Sequence, residues 1–524
     1  KNHYIRFRNK LLEEIRILKN DYYKNKLERC EGNTKNTWKV LNDITNQRTK
    51  NSKTIVLDVN GKLEYDSEYV ANEFNQYFLN VVSGLKLSDN VSSDFSKLNI
   101  RNYFIDKHQQ RTTFLETVYE EEILGIINLL KNNTSPGIDE ISSYTIKTVA
   151  PEIVTILSYL INFSFQKGIF PTQLKTAVVI PIYKGGLSST CNSYRPISLL
   201  SCFSKIYEKL MKKKIVNFLN KTDFFSKNQF GFRENMNTES ALFNFTKNVY
   251  NGLNSSKCIS GLFLDIKKAF DTVDHTILLK KLYRCGIRGI AYSWFESYLR
   301  DRYQCVRMHS TYSEMGKILY GVPQGSVLGA ILFIIYINDL CDARFQGTLT
   351  SFADDTALSY VKDSWTDIHV AMSKDLEIIQ WWFTMNHMLL STEKTKYVNF
   401  SLRKNDIIFE PVFYRCADCI LKSSQINNCL TMDCSTIQKS DIIKYLGIHK
   451  DNEFNWKIHI SKITKKLNNI IRIFYFLRNI CNLKILRMLY FALVQSRIEY
   501  GIFLWGSAYD SNLNSLLMQQ KHFV

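Results

Sequence analysis

Apolar residues recur at intervals of three and four along several stretches of this chain, the pattern of helices with one buried face. Val70, Phe74, Phe78 and Val81 share one such face. A helical block is expected at about 117–131, then a turn at Ser135-Pro136-Gly137-Ile138-Asp139. Pro151 is read as opening the next helix, with Ile153, Ile156, Leu157, Leu160 and Ile161 as its stripe and Gly168 as its end. Helices at about 199–220 and 238–253 follow. Further on, Ile460, Ile463, Leu467, Ile470, Phe474 and Leu477 repeat at the same spacing, and Lys462, Lys465 and Lys466 take other faces of that helix. Ile485, Leu486, Leu489, Tyr490, Leu493 and Val494 mark one more.

Between the helices lie short β-prone runs. Ile55 to Val59 and Lys62 to Tyr65 flank Asn60-Gly61, the pair favoured in a type I′ hairpin turn. Ala177 to Ile182 reads as a strand leading to Lys184-Gly185-Gly186. Ile259 to Leu264 is another. Leu349 to Phe352 and Ala357 to Val361 read as a hairpin with Asp354-Asp355 at its tip. Helices alternating with short strands indicate an α+β fold. The first 50 residues are basic and helix-prone, with Tyr22, Tyr23 and Trp38 among them. Residues 83–112 are polar and read as a linker or mobile loop.

At 524 residues, two to four domains are expected. A 45% hydrophobic and 22% charged composition is ordinary for globular chains. The net charge of +19 is not, and it points to a polyanionic partner, nucleic acid above all. The apolar run Val327 to Ile337 is too short to span a bilayer, so no membrane partner is expected. Scattered cysteines, many in apolar contexts such as Cys202 and Cys481, fit reduced thiols inside a cell. Cys416-Ala417-Asp418-Cys419 with Cys429 and Cys434 is read as unligated thiols in a variable loop, structural zinc being the alternative. The chain starts at Lys1 and stops at Val524, and is expected to be a piece of a longer reading frame.

The candidate chemistry is acidic. Asp265 ends one apolar strand, and Asp354 and Asp355 sit on the hairpin tip of others. Carboxylates at the ends of neighbouring strands are hard oxygen ligands suited to Mg²⁺. Two such ions can stabilise the attacking and leaving oxygens of an in-line phosphoryl displacement. That is the chemistry of nucleotide polymerisation. Asp271 and Asp274, in contrast, read as turn or cap residues.

The neighbours of these acids sharpen the reading. Leu264-Asp265-Ile266-Lys267-Lys268-Ala269-Phe270-Asp271 is preceded by Tyr194-Arg195-Pro196-Ile197-Ser198-Leu199. Tyr320-Gly321-Val322-Pro323-Gln324-Gly325-Ser326 stands between the acidic motifs, and Lys444-Tyr445-Leu446-Gly447-Ile448 comes after them. In that order, from about Ser135 to Trp505, the chain resembles the reverse transcriptases of non-LTR (LINE-type, jockey-like) retrotransposons.

The resemblance implies a right-hand polymerase fold with a mostly helical N-terminal extension. Residues 1–130 would be that extension or linker, a candidate RNA-binding region; 131–450 would be fingers and palm, and 451–524 a helical thumb. It implies RNA-directed DNA synthesis with two Mg²⁺ ions held by Asp265, the carbonyl of Ile266, Asp354 and, less directly, Asp355. Phe270 would pack under the sugar and exclude a 2′-hydroxyl. Gln324 and Gly325 would lie beside the nucleotide, Arg195 and Lys184 would bind its triphosphate, and Lys394 would protonate the leaving pyrophosphate. Tyr445, Leu446 and Gly447 would grip the primer end. The partners implied are template RNA, primer DNA, their RNA–DNA hybrid and dNTPs, with an endonuclease domain elsewhere in the full-length polyprotein and a nuclear or cytoplasmic location. A catalytically dead binding remnant, a maturase and an RNA-dependent RNA polymerase are the alternatives.

Overall fold

The computed structural model describes residues 2–30, 33–44, 55–81, 103–104, 109–132, 134–401, 410–416, 419–420, 429 and 434–523. Its contacts divide the chain into two compact units, residues 55–440 and a second made of 1–54 with 441–524.

Strands are numbered in chain order. They are β1 (Leu57–Val59), β2 (Lys62–Glu64), β3 (Thr176–Tyr183), β4 (Tyr194–Leu199), β5 (Cys258–Leu264) and β6 (Arg302–Met308). Then come β7 (Thr311–Tyr312), β8 (Gly316–Ile318), β9 (Thr348–Phe352), β10 (Asp355–Lys362) and β11 (Lys396–Phe400). The last are β12 (Val412–Tyr414), β13 (Ser435–Lys439), β14 (Ile442–Tyr445) and β15 (Ile448–Asp451). Helices lie between them throughout, so the molecule is of the mixed α+β class.

The larger unit is built on two sheets. One has the order β12-β13-β11-β5-β10-β9. β5 lies inside it, antiparallel to β10 and β11, and is buried along nearly its whole length. That explains its continuous apolar run, since a strand with both faces covered loses the in–out alternation. Helices Thr238–Asn254 and Trp365–Met385 pack on this sheet. The other sheet runs β4-β3-β6-β7, with β8 also on β6. The apolar run at Val327 to Ile337 becomes the buried helix Gly329–Tyr336.

The hairpin turn has the backbone its residues favour. Asn60 and Gly61 take φ of 54° and 83°, left-handed at both central positions. The following helix, Ser67–Leu79, is capped by Asp66 and buries Val70 and Phe74. The helix expected at about 199–220 begins at Cys202, because β4 continues to Leu199 and Ser201 provides the cap.

Pro151 requires a correction. It lies inside the helix Ser143–Lys167, which starts from a Ser142 cap rather than at the proline. An internal proline removes one backbone hydrogen bond and crowds the carbonyl of the preceding turn. Burial of Ile146, Ala150, Val154, Leu157, Ile161 and Phe165 offsets that cost. The buried stripe is therefore rotated from the expected one, and Ile156 and Leu160 are exposed. Gly168, with φ of 67°, ends the helix as expected. Among the described residues this helix alone is long and apolar enough to cross a membrane by length and composition, and it packs against Glu120–Asn128 and Gly289–Leu299.

Much of the polar stretch 83–112 lies outside the described residues. Its described parts are tied down rather than loose. Phe104 stacks on Trp381 at 4.9 Å, and the Gln109 N–H donates to the Arg284 carbonyl.

In the smaller unit, helix Lys457–Leu477 buries Ile460, Ile463, Leu467, Ile470, Phe474 and Leu477, the residues its spacing selects. Helix Leu483–Tyr490 passes through a wider π turn, Phe491–Gln495, into Ser496–Glu499.

Candidate active site

Strand register brings the acids to one corner. Leu264 pairs with Thr356, so the chain leaves β5 at Asp265 where β10 begins with Asp355. Phe352 pairs with Asp355 across the β9–β10 hairpin, leaving Ala353 and Asp354 as its turn. Ala353 adopts a left-handed φ of 55°. The fully buried Gln229 holds that turn. Its Oε1 accepts from the N–H groups of Gly231 (2.7 Å) and Ala353 (2.9 Å), and its Nε2 donates to Ser351 Oγ (3.1 Å). A Cβ at position 231 would lie 2.4 Å from the Ala353 nitrogen, so only glycine fits there.

Asp265 is fixed through its backbone. Its carbonyl accepts from the Ser391 N–H at 2.7 Å, and its own N–H donates to Thr395 Oγ1 at 3.2 Å. Ile266 is buried and forms a β-bridge with Leu390. These contacts hold the 391–395 loop beside the acid, with Lys394 Nζ 3.7 Å from Asp265 Oδ2.

Electrostatics link the remaining groups. Burial raises the pKa of Asp354, the Asp265 charge raises it further, and Arg195 opposes the shift. The Lys184 ammonium is lowered by burial and then by Lys394 and Arg195, against Asp271 and Asp265. Arg195 faces Ile182 in the β3–β4 ladder, and Lys184 follows β3 directly. Asp265, Asp354, Lys184, Arg195 and Lys394 thus share one electrostatic neighbourhood. Asp355 opens β10 and is exposed.

The donor set suits a divalent cation. Asp354 is costly to ionise where it is buried beside the Asp265 charge, and a cation between the two carboxylates relieves that cost. Asp265, Asp354 and Asp355 do not appear as a tight three-ligand group: among the described residues, the group with ligand atoms all within 4.8 Å consists of cysteines. An ion bound by these acids therefore takes other oxygens from water or phosphate, the usual habit of Mg²⁺.

A second cluster adjoins the first. Gln324 Nε2 donates to Asp271 Oδ1 at 2.7 Å, and the Gln324 carbonyl accepts from the Ser198 N–H at 2.8 Å. Gly325 approaches β4 so closely that a Cβ would lie 2.5 Å from the Ser198 carbonyl oxygen. Phe270 is half-buried, stacked on Phe333 at 4.4 Å with Phe232 edge-on at 6.4 Å. A pocket lies alongside, lined by Phe78, Pro196, Asp271, Tyr320 and Gln324 among others. Asp271 does form the expected turn, its N–H donating to the Lys268 carbonyl, but it also faces this pocket. Burial pushes its carboxyl up to about 6, against Gln324, Lys268 and Lys184. Asp274 caps helix His275–Arg284 and bonds to His387 Nδ1 at 3.0 Å.

Several of these residues were not selected by sequence. Gln229, Thr395 and Ser391 act through neutral hydrogen bonds and carry no charge pattern. Tyr77 comes from the helix Ser67–Leu79. Its hydroxyl accepts from Lys268 Nζ at 2.7 Å, and the ammonium lies 4.1 Å from the ring centroid. Tyr445, Leu446 and Gly447 belong to the smaller unit. They form the β14–β15 turn, where Leu446 and Gly447 have φ of 44° and 85° and Tyr500 donates to the Leu446 carbonyl at 2.6 Å.

Comparison with known proteins identifies the family. The reverse transcriptase (RNA-dependent DNA polymerase) family profile matches residues 182–450. A Drosophila melanogaster protein named as a probable RNA-directed DNA polymerase from transposon BS is 28% identical over 422 residues, covering 78% of this chain and 44% of that protein. The RNA-directed DNA polymerase from mobile element jockey, from the same species, is 27% identical over 428 residues, covering 80% and 44%. The chain spans less than half the length of these curated relatives.

Proposed function

We propose, for a chain that belongs to the reverse transcriptase family and within it to the LINE-type group, that it adds deoxynucleotides to a primer 3′-hydroxyl on an RNA template. The observation that supports this most is the meeting of Asp265 and Asp354 at the ends of paired strands, beside Lys394 and Arg195. In this reading residues 131–450 are fingers and palm, 451–524 the thumb, and 1–130 an RNA-binding extension. Template RNA, primer DNA, their hybrid and dNTPs are its partners, in the nucleus or cytoplasm rather than a membrane, and the endonuclease that supplies a primer belongs to another part of the polyprotein.

Asp265 and Asp354 would hold two Mg²⁺ ions, with the Ile266 carbonyl and Asp355 at the edge of the set. Bound there, Mg²⁺ supplies Lewis-acid chemistry, acidifying the 3′-hydroxyl and neutralising the leaving phosphates. Arg195 offers a fork of donors to the triphosphate and Lys184 a point charge. The primer oxygen gives its proton to solvent water and bonds to the α-phosphorus, the α-phosphorus bond to the bridging oxygen of the β-phosphate breaks, and pyrophosphate leaves with a proton from Lys394. Positioning and electrostatics carry most of the rate in such transfers. Phe270 lies under the sugar, where its ring rejects a 2′-hydroxyl by contact. Gln324 and Gly325 shape the nucleotide's surroundings, and Tyr445, Leu446 and Gly447 grip the primer.

Primer extension on a generic RNA template tests the reading. Extension that requires Mg²⁺, prefers deoxynucleotides and is lost in Asp354→Asn with RNA binding intact supports it. Preference for ribonucleotides would assign an RNA polymerase. RNA binding with no extension would assign a binding remnant.

A further inference from the structure

The far edge of the sheet that carries Asp265 holds a second constellation. Strands β12 and β13 are antiparallel, with Tyr414 opposite Ser435 as the last pair. The segment 415–434 joins them, long for a hairpin connection. Cys416 lies just beyond β12, and Cys434 directly precedes β13. Cys419 and Cys429 come from the connection between them. The Sγ atoms of Cys416, Cys419, Cys429 and Cys434 all lie within 4.8 Å of one another. That of Cys416 is 3.7 Å from that of Cys429.

We propose that Cys416, Cys419, Cys429 and Cys434 form a structural zinc site that closes the β12–β13 connection. A tetrahedral ion with Zn–S bonds of about 2.3 Å places its sulfurs roughly 3.8 Å apart, close to the separation seen. At 3.7 Å the Cys416 and Cys429 sulfurs stand well beyond the roughly 2.05 Å of a disulfide, so they converge without an S–S bond between them. The Cys416 N–H donates to Cys434 Sγ at 3.2 Å, which ties the two ends of the connection together. Arg415 steadies the cluster from outside. It donates to the Cys419 carbonyl at 2.7 Å and pairs with Glu377 of helix Trp365–Met385 at 3.0 Å. The guanidinium also stands beside what becomes an anionic tetrathiolate. With four protein ligands the site has no open position, so its role is structural.

The sequence alone favours unligated thiols, because the second cysteine pair has an unusual spacing and no histidine lies near to assist. Spacing along a loop is a poor guide here, because the two strands bring its ends together. A tetrahedral set of four thiolates accepts zinc or iron, and the test separates them. It stands apart from polymerase activity, so its failure and that of the catalytic reading are distinguishable.

The full chain, purified under reducing conditions from zinc-supplemented culture, is expected to carry one zinc per chain by elemental and native mass spectrometry. Cys416→Ser combined with Cys434→Ser is expected to lose it, while Cys258→Ser keeps it. Should the double variant not fold, two measurements on the unaltered chain decide. Cobalt exchange is expected to give the visible bands of a tetrahedral thiolate site, and a mercurial is expected to release the zinc as these thiols are titrated. Zinc-free protein, zinc retained by the double variant, iron in its place, or disulfides among these cysteines would overturn the proposal.

Discussion

The acidic corner and the cysteine edge belong to one six-stranded sheet, yet they are assembled in opposite ways. Asp265 and Asp354 are positioned by strand register and by hydrogen bonds that exist without any ion. The cysteines lie at the ends and inside of a long connection, where strand pairing brings Cys416 and Cys434 near and the proposed ion would tie in Cys419 and Cys429. In the first case the fold sets the proposed ligands in place before any ion binds. In the second the proposed ion would pin a connection that strand pairing only begins to close. Removing a ligand should therefore abolish chemistry at one place and structure at the other.

The largest effect is expected at the acids. Asp265→Asn and Asp354→Asn should each lower the extension rate by about 10³-fold or more, a loss comparable with that of other main charge-stabilising groups. The melting temperature of Asp354→Asn should stay level or rise, because burial makes its carboxyl costly to ionise. Parallel rate and melting measurements on purified variants check this. A variant that unfolds would show that the acids hold the sheet together, and the contrast with the cysteine edge would vanish.

Gln229→Leu attacks the brace instead of the ligand. It leaves the buried N–H groups of Gly231 and Ala353 without their acceptor, at a cost of about 2–4 kcal/mol. The displaced hairpin turn should also slow extension by roughly 10²-fold, since small misplacements of reacting groups are expensive. Chemical denaturation together with primer extension measures both. Full activity with normal stability would mean that register alone positions Asp354.

Phe270→Val should lower the preference for deoxy- over ribonucleotides by about 10- to 100-fold, read as a ratio of kcat/KM values. It should also cost about 1–3 kcal/mol of stability through the lost stack on Phe333. A stability loss without any change in preference would make Phe270 a core residue and nothing more.

These cases show which parts of the molecule are written in its sequence. The strands beside Asp265 and Asp354 are short, apolar and bounded by charge, so their existence follows from pattern. Their pairing, which makes a site of them, also depends on Gln229 and Thr395, whose neutral hydrogen bonds leave no periodic trace. The helix through Pro151 was misplaced because a proline usually marks a first turn, and here the packing of Ile146 and Ala150 outweighs that preference. The stretch around Phe104 read as linker because it is polar, although its few aromatics are what anchor it. The convergence of the four cysteines is not legible in their spacing, because it depends on two strands whose pairing only the fold reveals.

The remaining effect is read in stability and tests whether the acidic corner tolerates its own charge. Asp271 has its carboxyl raised from 3.8 to about 6, burial being the main cause. The folded chain therefore holds a proton there that the unfolded chain gives up earlier. This contribution to stability is complete below about pH 4 and is lost as the pH rises toward 6. Above that range the ionised group costs about 3 kcal/mol. Asp271→Asn keeps an oxygen able to accept from Gln324, so the variant should match the parent near pH 4 and exceed its stability by about 3 kcal/mol at pH 7.5. Denaturation curves across that range measure the difference. A chelator that strips the cysteine edge should leave this difference in place, because no metal enters it. Should the variant instead be weaker at pH 7.5, the Lys268 and Lys184 charges outweigh burial, and the corner is balanced before any ion arrives.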